Sequence, residues 1–513
     1  MSTKDKQLKL DHGMFWPPLL ILIVSSYFLI RDVEKSTKVL NQIFAFLTGP
    51  LGWFFLWAAV ICLGILAYLA FGKFGKIRFG DKPDFSTWSW LGMIFTASAG
   101  SSIIYWGTIE WAYYITAPPW GAAPFSGEAV RWATSYGMFH WGTHAWGFYI
   151  VCTIPFAYFM HVRKMSVIRP SAACRELLGN RVDGWLGKLI DIIFILGLIG
   201  GIGTTMGLAT PMVSAAITSL FGIPRSLKMD TLIILAFGVF LSVGLALGLK
   251  KGLKKLSDIR VVLAVILLAF LLFIGPTGFI LNTFTDSVGW IIQNTPRMSF
   301  WTDSYAEGGF PQSWTIFMWA WWLAFAIPTG IFLARISKGR TVKELIVGGM
   351  TVGTLGSWVF YAIQGNFALY LQKTGVLNVP DIMDKSGAAT AIVEIYKAAP
   401  LGSIFMPLMI ILAILSLVTS LNSYAYTIAM TTTKELTEDQ EPARWLRVLW
   451  AMLLGVLAIG LLNLGGLKPL QTSSLIVATP LVIVVFALVL SGIKAMSNDY
   501  KQKSVVPPTE VKD

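Results

Sequence analysis

Residues Ser313–Arg340 read SWTIFMWAWWLAFAIPTGIFLARISKGR, a stretch long and apolar enough to cross a bilayer. It carries Trp314, Trp319, Trp321 and Trp322, followed by Pro328-Thr329-Gly330. Tryptophan collects at membrane interfaces, where an amphipathic ring is at ease, and Trp314 fits that position. Trp321 and Trp322 lie about 10 Å deeper at the helical rise, beside a predicted helix interruption. Irregular backbone at membrane depth is tolerated only where protein or a cavity encloses it. Several indoles facing such a cavity suit a cation with no N–H to donate, a quaternary ammonium held by cation–π attraction. The alternative is that these rings pack against other helices.

Composition gives the class. Of 513 residues, 55% are hydrophobic and only 13% charged, which excludes an ordinary soluble domain. Apolar runs of spanning length recur near 15–31, 51–72, 87–116, 132–160, 185–217, 229–249, 258–282, 312–336, 343–371, 400–432, 443–464 and 471–494. The expected fold is an all-α polytopic membrane protein with twelve transmembrane helices, embedded in a lipid bilayer.

A net charge of +13 raises the question of nucleic acid, but its placement answers it. Basic residues gather in alternate loops: Lys73, Lys76, Arg78 and Lys82; Arg163, Lys164 and Arg169; Lys250, Lys251, Lys254 and Lys255; Arg335, Lys338, Arg340 and Lys343. Loops 117–130 and 373–400 are poor in them. This is the positive-inside pattern, which with an even number of spans puts both termini in the cytoplasm. No nucleic-acid partner is implied.

The three cysteines, Cys62, Cys152 and Cys174, and the four histidines show no metal-ligand spacing, and no nucleophile or nucleotide motif appears. No cofactor, metal or enzymatic activity is expected. Filter-like repeats and charged rings of a channel are also lacking.

The internal order points to a carrier. Span three holds the small-residue run Ala97-Ser98-Ala99-Gly100-Ser101-Ser102, and span eight holds Pro328-Thr329-Gly330. Interruptions at corresponding places of two five-span groups indicate an inverted repeat with its site near the midplane. The expected organisation is a cytoplasmic segment 1–14, two peripheral helices with a cytoplasmic loop 15–86, a first repeat 87–282, and an extracytoplasmic connection 283–311. A second repeat 312–494 and a cytoplasmic tail 495–513, expected to be disordered, complete it.

Other side chains stand out. FHWGTHAW and the residues after it supply Trp141, Trp146 and Tyr149 on span four. YWGTIEWAYY ends span three and contains Glu110, a buried carboxylate that is either a functional group, as such charges in a membrane commonly are, or an inter-helix hydrogen-bond partner, with the structural role favoured. Arg260, in KKLSDIRVVLAVILL, lies about one turn inside span seven. It either snorkels to the headgroups or reaches inward to a cation site.

WTIFMWAWW with FLARISKGRT resembles the signature of the betaine/carnitine/choline transporter family, as do FHWGTHAW, VRKMSVIRPS, SDIR and GGLKPLQT. The likeness runs from Phe15-Trp16-Pro17-Pro18 to about Thr472 and is greatest to the L-carnitine/γ-butyrobetaine exchanger branch. It implies a leucine-transporter-type five-plus-five inverted repeat preceded by two helices, a homotrimer in a bacterial inner membrane, and a betaine substrate. It also implies a trimethylammonium box of Tyr113, Trp321, Trp322 and Phe325, pathway aromatics Trp141, Trp146 and Tyr149, and an outer secondary site at Trp314.

The departures concern coupling. The exchanger branch has Tyr at Phe325 and Met at Thr329, where the sulfur contributes to substrate binding. Thr419-Ser420 resembles the pair that ligates sodium in sodium-coupled members, here a possible vestige. Arg260 matches the exchanger arginine that replaces a sodium. A guanidinium and Na⁺ in one small site would repel severely, so cation-independent exchange is the favoured expectation, with sodium-coupled symport as the alternative.

Overall fold

The computed structural model describes residues 9–98, 100–165, 169–246, 250–434 and 440–505. Among them every regular element is helical, and the two β-bridges, Leu10–Thr433 and Arg78–Thr341, are isolated. Nine of these helices are long and apolar enough to cross a membrane, or ten if one bent pair is a single span. The protein is an all-α, multi-pass membrane protein.

Burial separates centre from periphery. The spans Gly127–Val162 and Trp185–Phe221 are 83% buried by protein, against 39% for His12–Arg31 and 44% for Gly52–Phe71. The first helix turns Leu20, Ile21, Ile23 and Val24 outward. In water such a face would be a liability, whereas in a bilayer lipid covers it without an energetic penalty.

Span three is interrupted where its small residues fall. Helix Thr87–Ser98 stops, Gly100 is extended (φ −75°, ψ 170°), and helix Ser101–Thr116 begins. Residue 99 lies outside the described residues. The second expected interruption is absent: helix Thr315–Ile336 runs unbroken through Pro328-Thr329-Gly330. A proline removes one backbone bond without ending a helix whose neighbours hold it. Gly330 serves close packing, since a Cβ there would stand 2.9 Å from Cys152 Cβ and 3.2 Å from the Thr153 nitrogen. Span four breaks instead, at Trp141-Gly142, between helices Gly127–His140 and Thr143–Ala157. Short π-turns follow at Tyr158–Val162 and, in the ninth span, at Tyr361–Gly365.

Other boundaries shift. Span seven ends at Ile274, and Gly275-Pro276 turns the chain by 105° into a further helix, Thr277–Phe300. An amphipathic helix, Val33–Thr48, fills the connection between the first two spans and packs on the last helix. The last helix, Lys468–Val505, continues past residue 494, and the end of the expected tail, 506–513, lies outside the described residues. The segment 373–400 folds into helices Val379–Ser386 and Ala388–Lys397, with the Tyr396 hydroxyl 3.2 Å from Thr108 Oγ1.

Basic loops meet at one end of the bundle. The Phe79 nitrogen donates to the Arg340 carbonyl at 2.8 Å, Lys338 pairs with Asp84 at 2.9 Å, and Arg163 with Asp499 at 2.9 Å. Arg169 reaches Asp11 at 2.8 Å. The helix pairing has a regularity of its own. The third-span helix packs on the ninth span and the eighth on the fourth, while the third packs on the tenth and the eighth on the fifth.

Trp146 is held between these spans. Its indole N–H donates to Ser357 Oγ at 3.1 Å, and Gly353 lies where any Cβ would overlap the ring. Gly353→Ala therefore overpacks the contact and should cost about 1–3 kcal/mol. The loss should appear as a lower unfolding temperature in detergent. Gly64→Ala, at a helix position with no atom within 4 Å of the new methyl, should not lower it.

Candidate functional site: an aromatic cavity between the helices

A cavity of about 100 Å³ lies where the third-span interruption faces the eighth, fourth, fifth and tenth spans. The interruption supplies Ala97, Gly100, Ser102 and Ile103, and span four supplies Trp141 and Tyr149. The helix Thr315–Ile336 adds Trp321, Trp322, Phe325 and Thr329, four residues spaced so that they share one helical face. Thr205 comes from the fifth span, and Ser420 and Tyr424 from the tenth.

The rings are fixed against one another. Trp322 meets Trp141 edge-on at 5.1 Å and Tyr149 at 4.8 Å, and Trp141 meets Trp321 at 5.9 Å. Phe325 sits 6.3 Å from Trp321 and 5.1 Å from Tyr424. The face of each ring is its electron-rich part and the part that attracts a cation. Trp321 donates to the Gly201 carbonyl at 3.4 Å. Small residues permit this approach, because a Cβ on Gly201 would stand 2.8 Å from the Phe325 ring. The Tyr149 hydroxyl approaches the Thr329 side chain. Among the described residues no carboxylate lines the cavity.

Trp141 faces inward because the chain leaves the helix there (φ −109°, ψ 16°). Its indole N–H donates to Glu110 Oε2 at 3.1 Å. Glu110, fully buried, also accepts from the hydroxyls of Tyr114, at 2.5 Å, and of Tyr361. His140 Nδ1 lies 3.2 Å from its other oxygen, and His140 Nε2 lies 3.0 Å from Thr315 Oγ1. With the ring proton on Nδ1, the imidazole donates to Glu110 and accepts from Thr315, so both nitrogens are satisfied. The carboxylate joins four spans and does not touch the cavity.

Arg260 is 9% exposed and turned inward, its Nη1 donating to Thr419 Oγ1 at 3.3 Å. Thr419 in turn donates to the Leu415 carbonyl at 2.8 Å. Ser420, the next residue, lines the cavity. The guanidinium thus occupies one acceptor position of the Thr419 hydroxyl.

Three expected residues lie outside the cavity lining. Trp146 stands behind Tyr149 at 5.5 Å and contacts Trp322 only at 6.3 Å. Tyr113 lies tilted against Trp314 at 5.0 Å, its hydroxyl 3.4 Å from that of Tyr105. Tyr113 and Trp314 make a layer nearer loop 117–126, joined to Trp321 through Trp106 at 6.2 and 6.3 Å. Trp319, on the opposite face of the helix, stacks on His144 at 5.4 Å. Tyr424 and Thr205 were not foreseen. Tyr424 follows Ser420 by four residues and so shares its helical face, and Thr205 ends the small-residue run from Gly200.

The surroundings fit a carrier. Rings enclose a small space inside a membrane, and the buried Glu110 carboxylate beside it is hydrogen-bonded on both oxygens. A model of the betaine/carnitine/choline family of transporters matches residues 13–501, nearly the whole chain. Members of this family are transporters and not enzymes. The chain therefore belongs to the betaine/carnitine/choline transporter family, with a small-molecule substrate carried across a membrane.

Proposed function

We propose that this transporter exchanges L-carnitine for γ-butyrobetaine by alternating access without a coupled cation. The observation that carries the reading is the Arg260–Thr419 contact one residue from the cavity-lining Ser420. At about 4 Å two unit positive charges repel by roughly 4 kcal/mol in an effective dielectric of 20. That is about a thousandfold in affinity, so a guanidinium at this place excludes Na⁺.

In this reading Trp141, Tyr149, Trp321, Trp322 and Phe325 hold the trimethylammonium group. Methyl groups cannot donate hydrogen bonds, so a box of ring faces without carboxylates loses nothing by enclosing them, whereas a primary amine would lose its bonds to water. Thr329 orients Tyr149. The substrate carboxylate turns toward Gly100 and Ser102, at the amino end of helix Ser101–Thr116, where free N–H groups and the helix dipole favour an anion. Tyr113 and Trp314 form an outer, secondary station, with Trp146 bracing the pathway.

The exchange of helix partners (third with ninth as eighth with fourth, third with tenth as eighth with fifth) is what an axis relating two five-helix groups would produce. It supports a five-plus-five inverted repeat. The gathering of basic loops at one end of the bundle supports cytoplasmic termini by the positive-inside rule. The reading also takes the protein as a homotrimer in a bacterial inner membrane. One observation favours a sodium-coupled symporter of glycine betaine or choline instead: the hydroxyls of Thr419 and Ser420 persist.

Trp322→Ala should weaken betaine binding by about 1–2 kcal/mol, roughly 5- to 30-fold in Kd, with Trp322→Phe between it and the parent. Equilibrium binding to purified protein measures this, and an unchanged Kd would assign Trp322 to packing alone.

Counterflow in proteoliposomes tests the coupling. The parent protein should exchange equally well in Na⁺ and in K⁺. Arg260→Ala should lose transport in K⁺ and regain part of it in Na⁺, because removing a permanent charge leaves a polar vacancy. A parent protein that requires Na⁺ would establish the symport reading.

A further inference from the structure

Far from the central cavity a second group of rings already holds a cation, one that belongs to the protein. The guanidinium carbon of Arg297 stands 3.8 Å from the centre of the Trp120 ring and 6.0 Å from that of Trp132. Trp120 also stacks on Trp301 at 3.6 Å with 23° between planes. Arg297 is exposed, and among the described residues no carboxylate pairs with it. An exposed arginine without an acid partner normally rests in water, yet here it lies on an aromatic face.

Backbone conformation singles out the same residue. Trp120 has φ +63°, a left-handed conformation that bulky side chains avoid, between Pro119 and Gly121. Such a conformation persists only where its surroundings enforce it, and functional sites are where that happens. The turn costs backbone energy, and it sets the Trp120 ring between Trp301 and the Arg297 guanidinium.

The rings continue inward without a gap. Trp301 stacks on Phe310 at 5.9 Å, Phe310 meets Tyr114 at 5.1 Å, and Tyr114 meets Trp314 at 5.0 Å. Trp314 touches Trp106 at 6.2 Å, and Trp106 touches Trp321 of the central cavity at 6.3 Å. The rings form one continuous aromatic contact chain from the outer group to the central cavity.

We propose that Trp120, Trp132 and Trp301 form an outermost receiving site for quaternary ammonium ions, occupied by Arg297 until such an ion displaces it. A guanidinium and a trimethylammonium group are both weakly hydrated, delocalised cations, so one aromatic face serves either. That the arriving ion is the transported substrate rests on the function proposed above. The receiving site itself rests on the geometry of Arg297 and Trp120.

Cysteine chemistry separates the two. The native cysteines, Cys62, Cys152 and Cys174, are all buried, so Arg297→Cys introduces one reactive thiol at the site. Its rates of modification by a trimethylammonium-bearing and by a sulfonate-bearing methanethiosulfonate are compared with those of Tyr305→Cys, a fully exposed position nearby. The cationic-to-anionic rate ratio should be about five- to tenfold greater at 297 than at 305, the worth of one cation–π contact. Trp120→Ala should abolish the excess. Tetramethylammonium should slow the reaction at 297 and not at 305, and it should do so equally in a Trp322→Ala background, where the central box is impaired. Equal ratios at the two positions, or no protection by tetramethylammonium, would overturn the receiving site. Protection by tetramethylammonium in a protein that transports no betaine would uphold the site and overturn the function proposed for the cavity.

Discussion

A carboxylate stripped of water inside a membrane must find its hydrogen-bond donors in the protein, and Glu110 finds them on two other spans besides its own turn. Tyr114, Trp141, His140 and Tyr361 converge on it, and His140 passes the connection on to Thr315. Leaving any one of these donors unpaired would cost roughly 1–3 kcal/mol, so the five groups hold their places together. The consequence reaches the cavity through Trp141. Its N–H is engaged on Glu110, which fixes the plane of the ring whose face and edge meet Trp321 and Trp322. The acid thus shapes an apolar site that it never touches.

The second fixed charge is arranged differently. Among the described residues Arg260 has one hydroxyl partner, Thr419, and its Nε has none. A guanidinium so thinly bonded is costly to bury. Such a cost is retained where the charge itself has work to do. In the function proposed above, that work is to stand in for a coupled cation beside Thr419. An aromatic cavity free of acids and a permanent cation next to it are complementary features. In that proposed function, the first selects a cation by polarisability and the second supplies positive charge without binding an ion.

Much of this was legible in the sequence, because hydropathy and indole clustering act locally. Trp321, Trp322, Phe325 and Thr329 face one cavity as their spacing on a helix requires, and Trp141 and Tyr149 join them across the fourth span. The interruption at Gly100 fell where small residues had accumulated. Pro328-Thr329-Gly330 misled, since the same residues that unwind a helix also let two helices approach, and Gly330 does the latter against Cys152. The helix Thr277–Phe300 was read partly as span and partly as loop, because its mixed polar and apolar faces depress a hydropathy window. Tyr113 was expected in the box and lies instead against Trp314, a matter of tertiary geometry that spacing on one helix cannot decide. Tyr424 could have been found from its place one turn beyond Ser420.

The account stands on the cavity preferring a methylated cation for its lack of N–H groups. Displacement of labelled γ-butyrobetaine from the purified protein measures this directly, with γ-aminobutyrate as competitor, alongside glycine betaine against glycine. Each pair differs only in methylation of the nitrogen. The methylated member should compete at least about tenfold more strongly, the cost of stripping hydrogen bonds from a primary ammonium. Equal competition within both pairs would contradict the account, because it would mean that the rings do not recognise the cation.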